Sequence, residues 1–141
     1  MARRRRRLKL ARVPSAVLLD AGALSAGAQG DPRVRAELVL AEQVGAGVHV
    51  SSVTLAEALR GHRRDARVHA LLAAVEQHPV NPHVGRAAGE LLGRTGRDDT
   101  IDAIIAATAE ALAMPTRLLT GDADDLRTLT TGMAAVTVVP V

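Results

Sequence analysis

The chain contains no cysteine, which excludes disulfides and thiolate metal sites and leaves hard oxygen ligands for any ion. It also contains no Phe, Tyr or Trp, so the core must be built from Ala, Val, Leu and Ile. Aromatic stacking platforms for nucleic acid are excluded with them, and RRM-like and OB-like readings lose their support. Lysine occurs once, as Lys9. No uninterrupted apolar run approaches the roughly 20 residues of a membrane span. The basic start, Ala16 to Leu19 and the small residues Ser25 to Ala28 imitate a secretory leader, but Asp20 breaks the apolar stretch. A cytoplasmic protein with no membrane partner is expected.

What is present fits one globular domain, at 141 residues and 48% apolar content. The net charge of +3 hides a division. Seven of the 18 Lys and Arg lie in the first twelve residues, which leaves 11 against 15 Asp and Glu, so the remainder is net −4. The expected organisation is a basic, disordered tail over residues 1–13 and a single domain over 14–141. Only the tail is a sequence-independent phosphate contact on charge grounds, and a solvated arm is its plainer reading.

From Pro14, short apolar runs alternate with longer helical segments. Ala16 to Leu19 reads as a buried strand that Asp20-Ala21-Gly22 closes as a turn. Asp31-Pro32 opens a helix that runs to Val44 and stops at Gly45. Val48 to Ser51 is the second strand, and Ser52 to Arg60 a helix with Thr54 and Glu57 at capping-box spacing. Helices over Arg64 to Gln77 and Val84 to Arg94 flank a weak third strand near Pro79 to Asn81. Ala135 to Val139 is the last strand.

The stretch from Gly96 to Leu126 organises the rest. Ile101, Ile104, Ile105, Thr108 and Leu112 have helical spacing, Pro115 ends that helix, and Arg117 to Thr120 is a buried strand emptying into an acidic turn. Such alternation predicts an α/β domain with a parallel sheet and helices on both faces. In an open parallel sheet, ligands bind beyond the carboxyl ends of the strands. On that plan Asp20 and Asp122 leave two strand ends, while Glu57 and Asp102 occupy first turns of helices facing the same edge. Four unpaired carboxylates in one pocket repel one another, so they need raised pKa values, basic partners or a cation; a divalent ion is the economical answer. The plainer reading of each acid is a cap or turn residue, and the capping box accounts for Glu57 most completely.

Leu18-Leu19-Asp20, Val53-Thr54-Leu55-Ala56-Glu57, the run Asp102 to Ala109, and Leu119-Thr120-Gly121-Asp122 resemble, in order and spacing, the acidic motifs of the PIN-domain family, specifically its VapC-type toxins. The resemblance spans nearly the whole chain. It implies a three-layer α/β/α fold with a mostly parallel sheet of about five strands. It also implies an endoribonuclease dependent on Mg²⁺ or Mn²⁺, usually a homodimer, inhibited by a cognate antitoxin. Gly22 departs from the pattern, since the family often carries a hydroxyl or Asn two residues after the first acid.

Asp20, Asp102 and Asp122 are thus expected as metal ligands, and Glu57 as a ligand or as the group orienting the attacking water. Thr120 is expected to support the Asp122 loop through its hydroxyl, and Asp99 is an auxiliary candidate. Asp98, Asp124 and Asp125 read as helix caps. The five histidines show no ligand-like spacing apart from the ordinary loop pair His78 and His83, and are expected at the surface or partly buried. Arg60, Arg63, Arg64 and Arg67 form a basic patch, by default a solvated one. A receiver-type phosphate regulator would need a lysine at a late strand end, which Lys9 cannot supply. A housekeeping RNA-processing nuclease, a DNA-directed nuclease and a catalytically silent interaction module remain as alternatives.

Overall fold

The computed structural model describes residues 15–141, so the basic tail lies outside the described residues. The elements run β1 (Ala16–Leu19), α1 (Ala21–Ala28), α2 (Pro32–Val44), β2 (Gly47–Ser51), α3 (Ser52–Ala58), a 3₁₀ turn (Arg63–Asp65), α4 (Ala66–Leu72), β3 (Glu76–His78), α5 (Pro82–Thr95), α6 (Thr100–Ala111), β4 (Thr116–Thr120), α7 (Ala123–Leu129) and β5 (Val136–Pro140). The five strands form one sheet in the order β3-β2-β1-β4-β5, every neighbouring pair parallel. Among the described residues no helix is long and apolar enough to cross a membrane.

Alternation along the two central strands divides the core into layers. Leu18 and Leu118 face Leu91, Ile105, Ala106 and Leu126 of α5, α6 and α7. Val17, Leu19 and Leu119 face Leu24, Val34 and Leu72 of α1, α2 and α4. Without aromatic rings, close approach replaces bulk: Ala103, Ala106, Ala107 and Ala109 of α6 are all buried. At Gly27 on α1, an added Cβ would lie 2.8 Å from Cγ1 of Val34. Such a core has little slack. Replacing Leu118, which is 0% exposed, by Ala is therefore expected to cost about 2–5 kcal/mol. Urea unfolding followed by far-UV circular dichroism measures it, since the chain has no tryptophan to report; a loss below about 1 kcal/mol would mean that the layer repacks.

Several elements differ from the sequence-based expectation. Asp20 does not begin a mere turn: it caps α1, its Oδ1 accepting the Ala23 N–H at 2.7 Å. The eight residues of α1 include a single large apolar side chain, Leu24, so no helical stripe announces them. The expected acidic turn after β4 continues into α7. The expected helix from Arg64 to Gln77 ends at Leu72, and the third strand is Glu76–His78 rather than Pro79 to Asn81. Its pairing to β2, not its composition, makes it a strand. The turn before α4 is held by buried Asp65, whose Oδ2 accepts the backbone N–H groups of Arg60, Gly61 and His62 at 2.8, 2.8 and 3.2 Å. Those bonds hold its carboxyl below the ordinary carboxylate value.

Candidate active site

Strand order reverses at β1, which pairs with β2 on one side and β4 on the other; this is where an open parallel sheet forms its crevice. Asp20 follows β1, Gly121 and Asp122 follow β4, and the crevice between these ends is a cavity of about 240 Å³. Asp20, Glu57, Asp99, Asp102 and Asp122 all line it. The fold therefore brings together the expected acidic quartet and Asp99.

The local roles of these acids are partly the reverse of what sequence suggests. Glu57 is not in a first turn, and no capping box involves it. The cap of α3 is Ser51, whose Oγ accepts the Val53 N–H at 3.3 Å. Thr54 is buried inside the helix, and Glu57 lies in its last turn. No local helix chemistry then accounts for Glu57. Its carboxyl is pushed above the ordinary value by burial and by the charges of Asp20 and Asp99, with Arg60 opposing. Asp20, read in sequence as part of a turn, is the cap of α1.

Asp99 is the cap of α6, its Oδ1 accepting the Asp102 N–H at 3.0 Å. Asp122 makes no cap bond to α7. Its backbone N–H instead donates to Oγ1 of the fully buried Thr120 at 2.8 Å. Asp102 carries the strongest signature. Its Oδ2 is buried with no hydrogen-bond partner among the described residues. Burial and the surrounding charges of Asp99, Asp122, Asp20 and Asp125 push its carboxyl up to about 7 from an ordinary 3.8.

One acid was missed. Oxygen atoms of Asp102, Asp122 and Asp125 lie within 4.8 Å of one another, so Asp125, expected only to cap a helix, joins the cluster. It sits in the first turn of α7 and is held by Arg97 at 2.9 Å. Its i, i+3 spacing from Asp122 was the available signal, unreadable until α7 was known to be a helix. An orphaned acceptor among like charges, with carboxylate oxygens as the ligating atoms that line its cavity among the described residues, fits a hard divalent cation such as Mg²⁺ or Mn²⁺.

The PIN domain model matches residues 17–129. The chain belongs to the PIN domain family. Solved structures share the fold. A chain of VapBC2 from Rickettsia felis, bound to a DNA fragment from its promoter, is 17% identical with a TM-score of 0.70, over 89% of this chain and 98% of that one. VapBC-1 from nontypeable Haemophilus influenzae is 19% identical with a TM-score of 0.66, over 89% and 97%. VapBC-5 from Mycobacterium tuberculosis, a member of the VapBC family of toxin–antitoxin systems, is 27% identical with a TM-score of 0.55, over 90% and 98%. Comparison with curated proteins gives no match. The VapBC likenesses agree with the VapC-type resemblance of the acidic motifs.

Proposed function

We propose that this PIN domain is an endoribonuclease dependent on Mg²⁺ or Mn²⁺, acting in the cytoplasm as the toxin of a toxin–antitoxin pair. The carrying observation is the buried, unpartnered Oδ2 of Asp102 in a cavity walled by further acids. Family membership supports a nuclease, and neighbours described as toxin–antitoxin complexes support an antitoxin partner.

Asp20, Asp102 and Asp122 are the residues that would hold the ion, with Asp125 and Asp99 beside them. When bound, a divalent ion supplies an activated water and offsets charge building on the phosphoryl oxygens. Glu57, whose proton affinity is raised, orients the attacking water and accepts its proton. Thr120 fixes Asp122 through the backbone. Substrate approach has a path: Glu57 also borders a groove of about 340 Å³ lined by Arg60, Arg64 and Arg67, where a phosphate backbone would meet guanidinium groups. For protein partners, α2 leaves Val39, Leu40 and Val44 exposed, an apolar face suited to a homodimer or to an antitoxin helix.

Incubating the chain with single-stranded RNA and with DNA of the same sequence, in Mg²⁺ and in chelator, tests the proposal. RNA should be cut only with metal, and the neighbouring gene's product should stop it. Cleavage of DNA alone would point to a DNA-directed nuclease, and cleavage of neither to a silent module. The tail gives a separate expectation. Its seven basic residues should contribute phosphate contacts without sequence preference. Deleting residues 1–12 should weaken RNA binding and flatten its salt dependence while the cleavage position stays put; an unchanged salt slope would remove the tail from the interface.

A further inference from the structure

Sequence spacing gives His49 no ligand partner, yet the sheet makes one. β2 and β3 pair in parallel with His49 opposite Glu76 and Ser51 opposite His78. Paired residues, and residues two apart on one strand, project to the same face, so His49, Glu76 and His78 converge. Nδ1 of His49 lies 2.8 Å from Nε2 of His78 and 3.4 Å from Oε2 of Glu76. Ligand atoms of all three fall within 4.8 Å of one another.

We propose that His49, Glu76 and His78 form a second metal site, for a zinc-class transition ion, at the β2–β3 edge of the sheet. Two imidazoles and a carboxylate are the donor set that a borderline ion such as Zn²⁺ prefers and that Mg²⁺ does not. Around a tetrahedral Zn²⁺ with bonds of about 2.0–2.1 Å, neighbouring ligand atoms lie about 3.3 Å apart. The His49 to Glu76 separation matches that spacing. The His49 to His78 separation is about half an ångström short, an opening that a turn of the part-exposed His78 ring supplies.

His49 is preorganised. It is 7% exposed, and its Nε2 sits over Gly47, where an added Cβ would come within 2.8 Å. The missing side chain at 47 lets the ring lie along its own strand with Nδ1 turned to β3. Three protein ligands leave a position open for water, and His78 borders a cavity of about 270 Å³ with Asn81, Thr108 and Leu112. No residue is shared with the carboxylate cavity at β1 and β4, so this site stands or falls independently of the nuclease reading. Its consequence lies in the fold: β3 is a three-residue edge strand, Glu76–His78, paired on one side to β2, and an ion bridging it to His49 pins that edge.

The test titrates tag-free, full-length protein with Zn²⁺, and with Co²⁺ as a visible-absorbing probe, in excess Mg²⁺ to occupy the carboxylate cavity. One equivalent should bind and the melting temperature should rise. His78→Ala should weaken Co²⁺ affinity by at least about a hundredfold and Glu76→Gln by at least about tenfold, given that losing even an outer partner of a metal ligand costs 10–100-fold. Both positions retain solvent exposure, and circular dichroism verifies that each variant is folded. Asp102→Asn should bind Co²⁺ as the wild type does. Saturable Zn²⁺ binding that His78→Ala leaves intact, binding that Asp102→Asn abolishes, or no binding at all would each overturn the site.

Discussion

Asp102→Asn is expected to lower RNA cleavage by at least about a hundredfold while leaving the metal-free protein as stable as the wild type or more so. The activity loss follows if Asp102 holds the ion as proposed, since even outer partners of metal ligands are worth 10–100-fold. The stability gain follows from electrostatics. Oδ2 of Asp102 is buried without a partner among the described residues, and the nearby charges of Asp99, Asp122, Asp20 and Asp125 all oppose its ionisation. Asn keeps the shape, removes the charge and can donate to the neighbouring carboxylates.

A purely structural first-turn role makes the opposite claim: losing the charge at the start of α6 would cost roughly 0.3–1 kcal/mol. Metal separates the two further. Mg²⁺ or Mn²⁺ at 100 times its dissociation constant should stabilise the wild type by about 2.7 kcal/mol and the variant by much less. Melting both proteins by circular dichroism, in chelator and in metal, decides between them. A destabilised variant that still cuts RNA, beside a wild type indifferent to metal, would sink the assignment of Asp102.

The second large effect is on pH. In the folded, metal-free protein the Asp102 carboxyl is pushed up to about 7 from 3.8, so between those values the folded state binds a proton that the unfolded chain has released. The stability this contributes is full below about 4, falls as pH rises toward 7, and is gone above it. Glu57, also raised, acts in the same direction.

Metal binding needs the ionised carboxylate, so its dependence runs the other way. Apparent Mn²⁺ affinity should rise about tenfold per pH unit up to about 7 and then level off. Calorimetric titration in two buffers of different ionisation enthalpy should show about one proton released per Mn²⁺ near pH 6 and none at pH 8. Asp102→Asn should flatten both profiles. Wild-type affinity constant from pH 5.5 to 8 would mean that the carboxyl is already ionised without metal.

Three acids of the quartet could be placed from sequence because each sits against an element with a strong local signal. Asp20 and Asp122 follow buried apolar runs, and Asp102 lies in the first turn of α6, whose isoleucines repeat at helical spacing. Central strands of a parallel sheet are buried on both faces and read as continuous apolar runs, so β1 and β4 could be placed, and with them the crevice. Asp31-Pro32 and Gly45 likewise bracketed α2 correctly, because a cap, a proline at the first helical position and a left-handed glycine each act locally.

Elements whose stability comes from neighbours were not legible in the same way. α7 spans seven residues, Ala123–Leu129, with an acidic start that reads as a turn; only its packing on α5 and α6 makes it a helix. The third strand, Glu-Gln-His, has no apolar alternation at all, and becomes a strand by bonding to the free edge of β2. Glu57 fitted a capping box better in sequence than in space, because capping depends on which residue leaves the helix first, and Ser51 does so at the end of β2.

Sequence by itself thus determined the layer architecture, the buried strands and the acids at their ends, since these rest on burial and local backbone chemistry. Only the tertiary structure decided that Asp125 joins Asp102 and Asp122, that Glu57 has no capping duty, and that His49 meets His78. Those juxtapositions depend on strand register and helix packing between residues far apart in the chain, and nothing in the local sequence encodes a distance across the sheet.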